Sequence, residues 1–166
     1  RWAAEHMTGQ TASPFEVQTS MLVSLPRDEG GMGINIANNV RIPLSDAARS
    51  LYDKTCCYAD ILIESNIDSM GVILECQGRS AHDSEAASLS DAERTTALTS
   101  MGYDVIQITY EQIKDTKSFN NIAELIHKKA GLPYIPKTDQ ERTAAETLRR
   151  EPLVNWDELL AVKPAG

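Results

Sequence analysis

Tyr58-Ala59-Asp60-Ile61-Leu62-Ile63-Glu64 and Gly71-Val72-Ile73-Leu74-Glu75-Cys76-Gln77 decide how this chain folds. Both runs are rich in Ile, Leu and Val, the composition of buried strands. Ser65-Asn66-Ile67-Asp68-Ser69 between them has turn composition. A symmetric antiparallel hairpin centred between Ile67 and Asp68 sets Asp60 directly across from Glu75. Opposed residues on one face of such a pair have Cβ atoms about 5 Å apart. Gln77 falls on the Glu75 face, because strand side chains alternate. A slip of one residue would undo the arrangement.

Outward from the hairpin the pattern is mixed. Upstream, Ser13-Pro14-Phe15-Glu16 predicts a helix start, with Ser at the cap, Pro at the first helical position and Glu three after Ser. Leu25-Pro26 closes that helix. A weak extended stretch, Ile34 to Ile42, follows a glycine-rich loop. Ser45–Tyr52 predicts one or two helical turns. Downstream, Gly78–Leu89 is expected to be a polar loop, and Ser90-Asp91-Ala92-Glu93 to cap a helix running through Met101. Asp104–Thr109 alternates as a strand does. Thr109-Tyr110-Glu111-Gln112 opens a short helix. Ser118–Ala130 carries Phe119, Ile122, Leu125 and Ile126 at helical spacing and stops at Gly131. Pro133 and Pro136 break the chain, and Thr138-Asp139-Gln140-Glu141 opens a charged helix to about Arg150. The order predicts an α/β sandwich, a mixed sheet with flanking helices. The expected organisation is a lead-in over 1–12, a main domain over 13–131 and a helical extension over 132–166. The chain opens on Arg1, so an upstream region is expected as well.

The 166 residues are 42% hydrophobic and 24% charged, with a net charge of −8. No apolar run reaches the roughly 20 residues that span a bilayer, and a cytoplasmic protein without a membrane partner is expected. Cys56, Cys57 and Cys76 have no metal-binding spacing, which suits reduced thiols. Residues 1–131 hold 11 Lys and Arg against 18 Asp and Glu. Such acidity opposes strong autonomous nucleic-acid binding, whose footprint is basic. It is compatible with a metal site, which needs carboxylates.

Two opposed carboxylates repel each other, and a divalent cation relieves the repulsion. Mg²⁺ suits such a site, because it takes one or two carboxylates and keeps several waters. The spacing alone equally allows two solvated acids near a sheet edge.

The ordered set of residues adds a resemblance. It comprises Tyr58 to Leu62, Val72 to Gly78, His82, Asp91, Arg94, Met101 to Thr109 and Gln112. This set resembles the PD-(D/E)XK nuclease superfamily, and within it bacterial domains similar to the very-short-patch repair endonuclease. The likeness spans roughly Ser13 to Gly131. It implies a restriction-endonuclease-like αβββαβ fold and a Mg²⁺- or Mn²⁺-dependent endonuclease that hydrolyses DNA phosphodiesters. It implies that Asp60 and Glu75 ligate the metal, with the Cys76 backbone carbonyl as a third ligand. Glu16 holds the place of a first-helix glutamate that joins the site, although its capping role explains it equally well. Gln77 stands where the superfamily usually has Lys. Glutamine orients water but carries no charge and is no base at neutral pH. His82 is a candidate proton shuttle, or else a residue that fixes its loop. Arg79 and Arg94 are candidates for substrate phosphates, with a surface ion pair as the alternative for Arg94. The same residues fit a second function. A nuclease fold that no longer cuts could serve as a regulatory module, as in antitoxin-like proteins where it follows a DNA-binding helix-turn-helix segment.

Overall fold

The computed structural model describes residues 13–77 and 85–150, with the side chains of 85–87 outside the description. Arg79 and His82 therefore lie outside the described residues, as do the lead-in and everything after Arg150.

Helix α1 (Pro14–Ser24) starts as its sequence predicts. The Ser13 hydroxyl accepts the Glu16 N–H at 3.2 Å and donates to Glu16 Oε1 at 2.9 Å. The chain leaves α1 through a 3₁₀ turn, Arg27–Glu29, into strand β1 (Ala37–Pro43) and the four-residue helix α2 (Asp46–Arg49), capped by Ser45. Strands β2 (Cys56–Ile63) and β3 (Gly71–Gln77) form the expected hairpin. Helix α3 (Glu85–Ser100) crosses to strand β4 (Tyr103–Thr109). Helices α4 (Tyr110–Lys114), α5 (Thr116–Ala130) and α6 (Asp139–Arg150) complete the described chain.

The sheet is mixed and open, in the order β1-β2-β3-β4. Pairs β1/β2 and β2/β3 are antiparallel, and β3/β4 is parallel. A parallel pair cannot be joined by a tight turn, so α3 supplies the crossover. Helices cover both faces. One core holds residues of α1, α4, α5 and α6 against Ile61, Ile63, Val72, Leu74, Ile106 and Ile108. The other holds residues of α2 and α3 against Ile42, Cys57, Ala59 and Ile73. Strand β3 is buried on both sides, which explains its unbroken apolar run.

The hairpin register is the one the symmetric turn predicts: Ile61 pairs with Leu74, Leu62 with Ile73 and Ile63 with Val72. The turn is pinned from outside. Asn66 N–H donates to the Ala130 carbonyl at 2.8 Å, and Met70 N–H donates to the Gly102 carbonyl at 3.0 Å. Gly131 ends α5 with φ 65°, and a Cβ there would come within 2.4 Å of Ile67 Cγ2. The tip of the hairpin is thus held by the ends of α5 and α3; at its far end the pairing stops at Ile61 and Leu74, short of the expected Asp60–Glu75 pair.

One helix boundary differs from the expectation. Helix α3 is already formed at Glu85, so much of the anticipated polar loop is helical and Ser90 sits inside the helix. An N-cap residue needs an extended backbone, which a residue in mid-helix does not have. Glu85-Ala86-Ala87 is a run of strong helix formers, and it outweighs the capping pattern that follows. The 132–150 extension is tied to the body. Arg27 grips Glu141 with two bonds of 2.8 Å and donates to the carbonyls of Ile135 and Pro136. Among the described residues no helix is long and apolar enough to cross a membrane.

Candidate acidic site at the open end of the hairpin

The paired residues of β2 and β3 end at Ile61 and Leu74. The next residue of β2 is Asp60, and it behaves unlike its neighbours. Cys57 and Ala59 pack with the α2/α3 core, whereas Ile61 and Ile63 pack with the α1/α5 core. Residues of equal parity on a regular strand share one face. Strand β2 therefore changes face at Asp60. Strand β1 does the same beside it: Val40 and Ile42 join the α2/α3 core, while Asn38 Oδ1 accepts the hydroxyl of Ser20 on α1 at 2.7 Å. The residue at the β1 break, Asn39, has φ 50°. This left-handed conformation is one that Asn tolerates better than most residues. The β1/β2 pairing runs on either side of Asn39 and Asp60 and skips both.

The break aims the Asp60 side chain along the sheet. Its Oδ2 accepts the Cys76 N–H at 2.7 Å. A carboxylate here takes the place of a strand carbonyl. The bond lets β2 and β3 part while leaving the Cys76 donor satisfied, as a buried N–H requires. The structure thus ties the Cys76 N–H to the site; the Cys76 side chain turns toward the α1 core.

Glu75 is the most unusual residue of the cluster. It is 3% exposed. Its Oε2 accepts from Arg94 Nη2 on α3. Its Oε1 is buried and has no hydrogen-bond partner among the described residues. Burial is the main cause that pushes the Glu75 carboxyl up to about 7; Arg94 pulls it down, and Asp60 pushes it further up. Asp60 is also raised, first by burial and then by Glu16, against the pull of the Cys76 N–H and of Arg94. These influences bring Glu16, Asp60, Glu75 and Asp91 to bear on one locality, with Arg94 as the cation that lowers both strand carboxylates. The Cys76 thiol is pushed up to about 12, chiefly by burial, against the hydrogen bond of Thr19. It is inert at neutral pH, because thiolate is the reactive form.

The other predicted residues divide clearly. Glu16 is buried on α1, serves its cap as expected, and acts electrostatically on Asp60 and Cys76. Gln77 is the half-buried last residue of β3, in register with Thr109. Arg94 lies mid-helix on α3, and its ion pair is with the buried strand carboxylate of Glu75 rather than at the surface. Gln112 serves as the cap of α4, accepting the Thr109 N–H at 2.9 Å. Asn39 and Thr19 escaped the sequence reading. Asn38-Asn39 inside an otherwise extended run was the available sign of a strand break.

Among the described residues no group of three His, Cys, Asp or Glu side chains forms a metal cage. Two carboxylates suffice for a hydrated Mg²⁺. The orphaned Oε1 of Glu75 and the adjacent Asp60 are chemically suited to that role. No family model, no curated protein and no solved structure matches this chain.

Proposed function

We propose that this is a Mg²⁺- or Mn²⁺-dependent DNA endonuclease-like domain with a restriction-endonuclease-like fold. The observation that carries the reading is the buried Glu75 carboxylate, with one oxygen left unpartnered, where Asp60 interrupts the β2/β3 ladder. Buried polar atoms without partners are rare in native proteins and mark sites where another group belongs. Asp60 and Glu75 would hold the ion. A bound Mg²⁺ supplies charge neutralisation at a phosphodiester and a more acidic water. The protein's own work is then positional. Gln77 orients water through its amide, which both donates and accepts. Glu16 adds negative charge that favours cation capture, and its carboxylate fixes the start of α1 beside the site. DNA is a better candidate than RNA on the resemblance alone.

A second reading is favoured by the Glu75–Arg94 ion pair and by Gln77. Here the fold is retained as a non-cleaving regulatory module, and the guanidinium neutralises the carboxylate in place of a metal.

Nicking of supercoiled plasmid in Mg²⁺ or Mn²⁺ tests the two. The enzyme reading expects conversion to open circles that EDTA stops and that Asp60→Asn slows by about a hundredfold or more. Absence of metal-dependent cleavage of plasmid, single-stranded and branched DNA by the wild-type chain refutes it and leaves the module.

A further inference from the structure

A cation held by Asp60 and the bare Oε1 of Glu75 would sit beside the Arg94 guanidinium. That guanidinium holds Glu75 Oε2, and the same carboxylate is a ligand in the proposed site. A guanidinium and a divalent cation on one carboxylate repel each other, and the repulsion is strong where burial lowers the effective dielectric. Both cannot stay. Arg94 is also the member free to leave. Its side chain is 25% exposed, against 4% for that of Glu75. Glu75 is fixed in a strand that pairs with β4 at that residue, while Arg94 is carried on a long stem from a helix that faces solvent on one side.

We infer that Arg94 is the internal counter-ion of the acidic site, competing with a divalent cation for Glu75 and turning to the substrate phosphate when the cation binds. The inference rests on the proposed Asp60–Glu75 metal site. Three observations converge on it. Glu75 has one oxygen taken by Arg94 and one with no partner among the described residues, so the ion pair leaves the carboxylate half satisfied. Asp60 and Asp91 add negative charge around the pair, so one guanidinium does not neutralise the cluster, and a dication does so better. A guanidinium released there is well shaped to take two oxygens of a phosphate at once. Arg94 thereby stabilises the empty site and positions the substrate in the filled one.

The test is Mn²⁺ binding followed by electron paramagnetic resonance at pH 8, with wild type, Arg94→Lys and Arg94→Gln. Removing the competing charge should tighten Mn²⁺ binding at least tenfold in Arg94→Gln, while Arg94→Lys, which keeps the charge, stays near wild type. Equal or weaker binding by a folded Arg94→Gln overturns the inference and leaves the metal site standing. Binding by Arg94→Gln with none by wild type supports the inference and refutes metal-dependent activity of the wild-type chain. No binding by either refutes both. Arg94→Gln strands a buried carboxylate and can unfold the chain, so wild type supplies the second measurement. The Arg94 side-chain Nε–Hε resonance should shift and exchange faster with water on titration with Mg²⁺. An Arg94 signal unmoved at saturating Mg²⁺ overturns the inference.

Discussion

Glu75→Gln should stabilise the metal-free protein at pH 8, although it alters the most buried charged group of the site. The Glu75 carboxyl is raised from 4.5 to about 7, mainly by burial. The folded state therefore binds the proton more tightly than the unfolded state does. Between pH 4.5 and 7 the native protein holds more protons than the unfolded chain, so stability falls as pH rises through this window. The contribution is fully present below pH 4.5 and is lost above 7. Charging this buried carboxyl therefore costs up to roughly 3 kcal/mol at pH 8. Glutamine keeps the shape and an oxygen for Arg94 but has no charge to desolvate. In EDTA at pH 8, urea denaturation should show Glu75→Gln more stable by about 1–3 kcal/mol, with an unchanged slope. At pH 4 the two proteins should agree within about 0.5 kcal/mol. The variant should also lose the stability decline between pH 5 and 8. A Glu75→Gln protein less stable than wild type by 1 kcal/mol or more at pH 8 would refute the reasoning. The Arg94 ion pair would then outweigh the cost of burial, and Glu75 would be a structural residue.

Two further perturbations probe how the site is held. Asn39→Val should destabilise the fold by about 1–2 kcal/mol in thermal melts, despite the higher strand propensity of valine, because a β-branched residue is strained at φ 50°; unchanged or raised stability would show that the β1 break is not built in. Glu141 is held down at about 2, foremost by its hydrogen bonds from Arg27. Its contribution is present above pH 4.5 and lost as pH falls through 2, so Glu141→Gln should speed amide exchange in α6 at pH 7 and leave it unchanged near pH 2; equal exchange at pH 7 would remove Arg27–Glu141 as the clamp.

The hairpin was legible because its information is local. Two apolar runs of similar length flank a turn of polar residues, so the pairing that centres the turn also matches the apolar stretches. A shift by one residue would have sent Ile61, Ile63, Val72 and Leu74 out of the α1/α5 core that now buries them. The helix starts at Ser13 and Thr109 were legible for the same reason, since each is decided within four residues. The start of α3 was not, because propensity upstream of Ser90 competed with a capping pattern and prevailed. The partner of Arg94 was hidden more deeply. It depends on the crossover that lays α3 over β3, and nothing near Arg94 in sequence announces a strand carboxylate.

The face change at Asp60 connects these observations. A regular β2 would have left the Cys76 N–H to a strand carbonyl, and Asp60 would have pointed squarely to one face. With β1 and β2 both turning at Asn39 and Asp60, the Asp60 carboxylate reaches along the sheet to Cys76 instead. The cost is local: a left-handed Asn, a ladder that stops at Ile61–Leu74, and a buried glutamate with a bare oxygen. The support is also local, on the other side of the same residues. Ile61, Ile73 and Leu74 are fully buried immediately beside the break, and each such side chain contributes about 1.5–3 kcal/mol. Backbone strain and a half-satisfied carboxylate are thus concentrated at one end of a hairpin, against a core able to bear them.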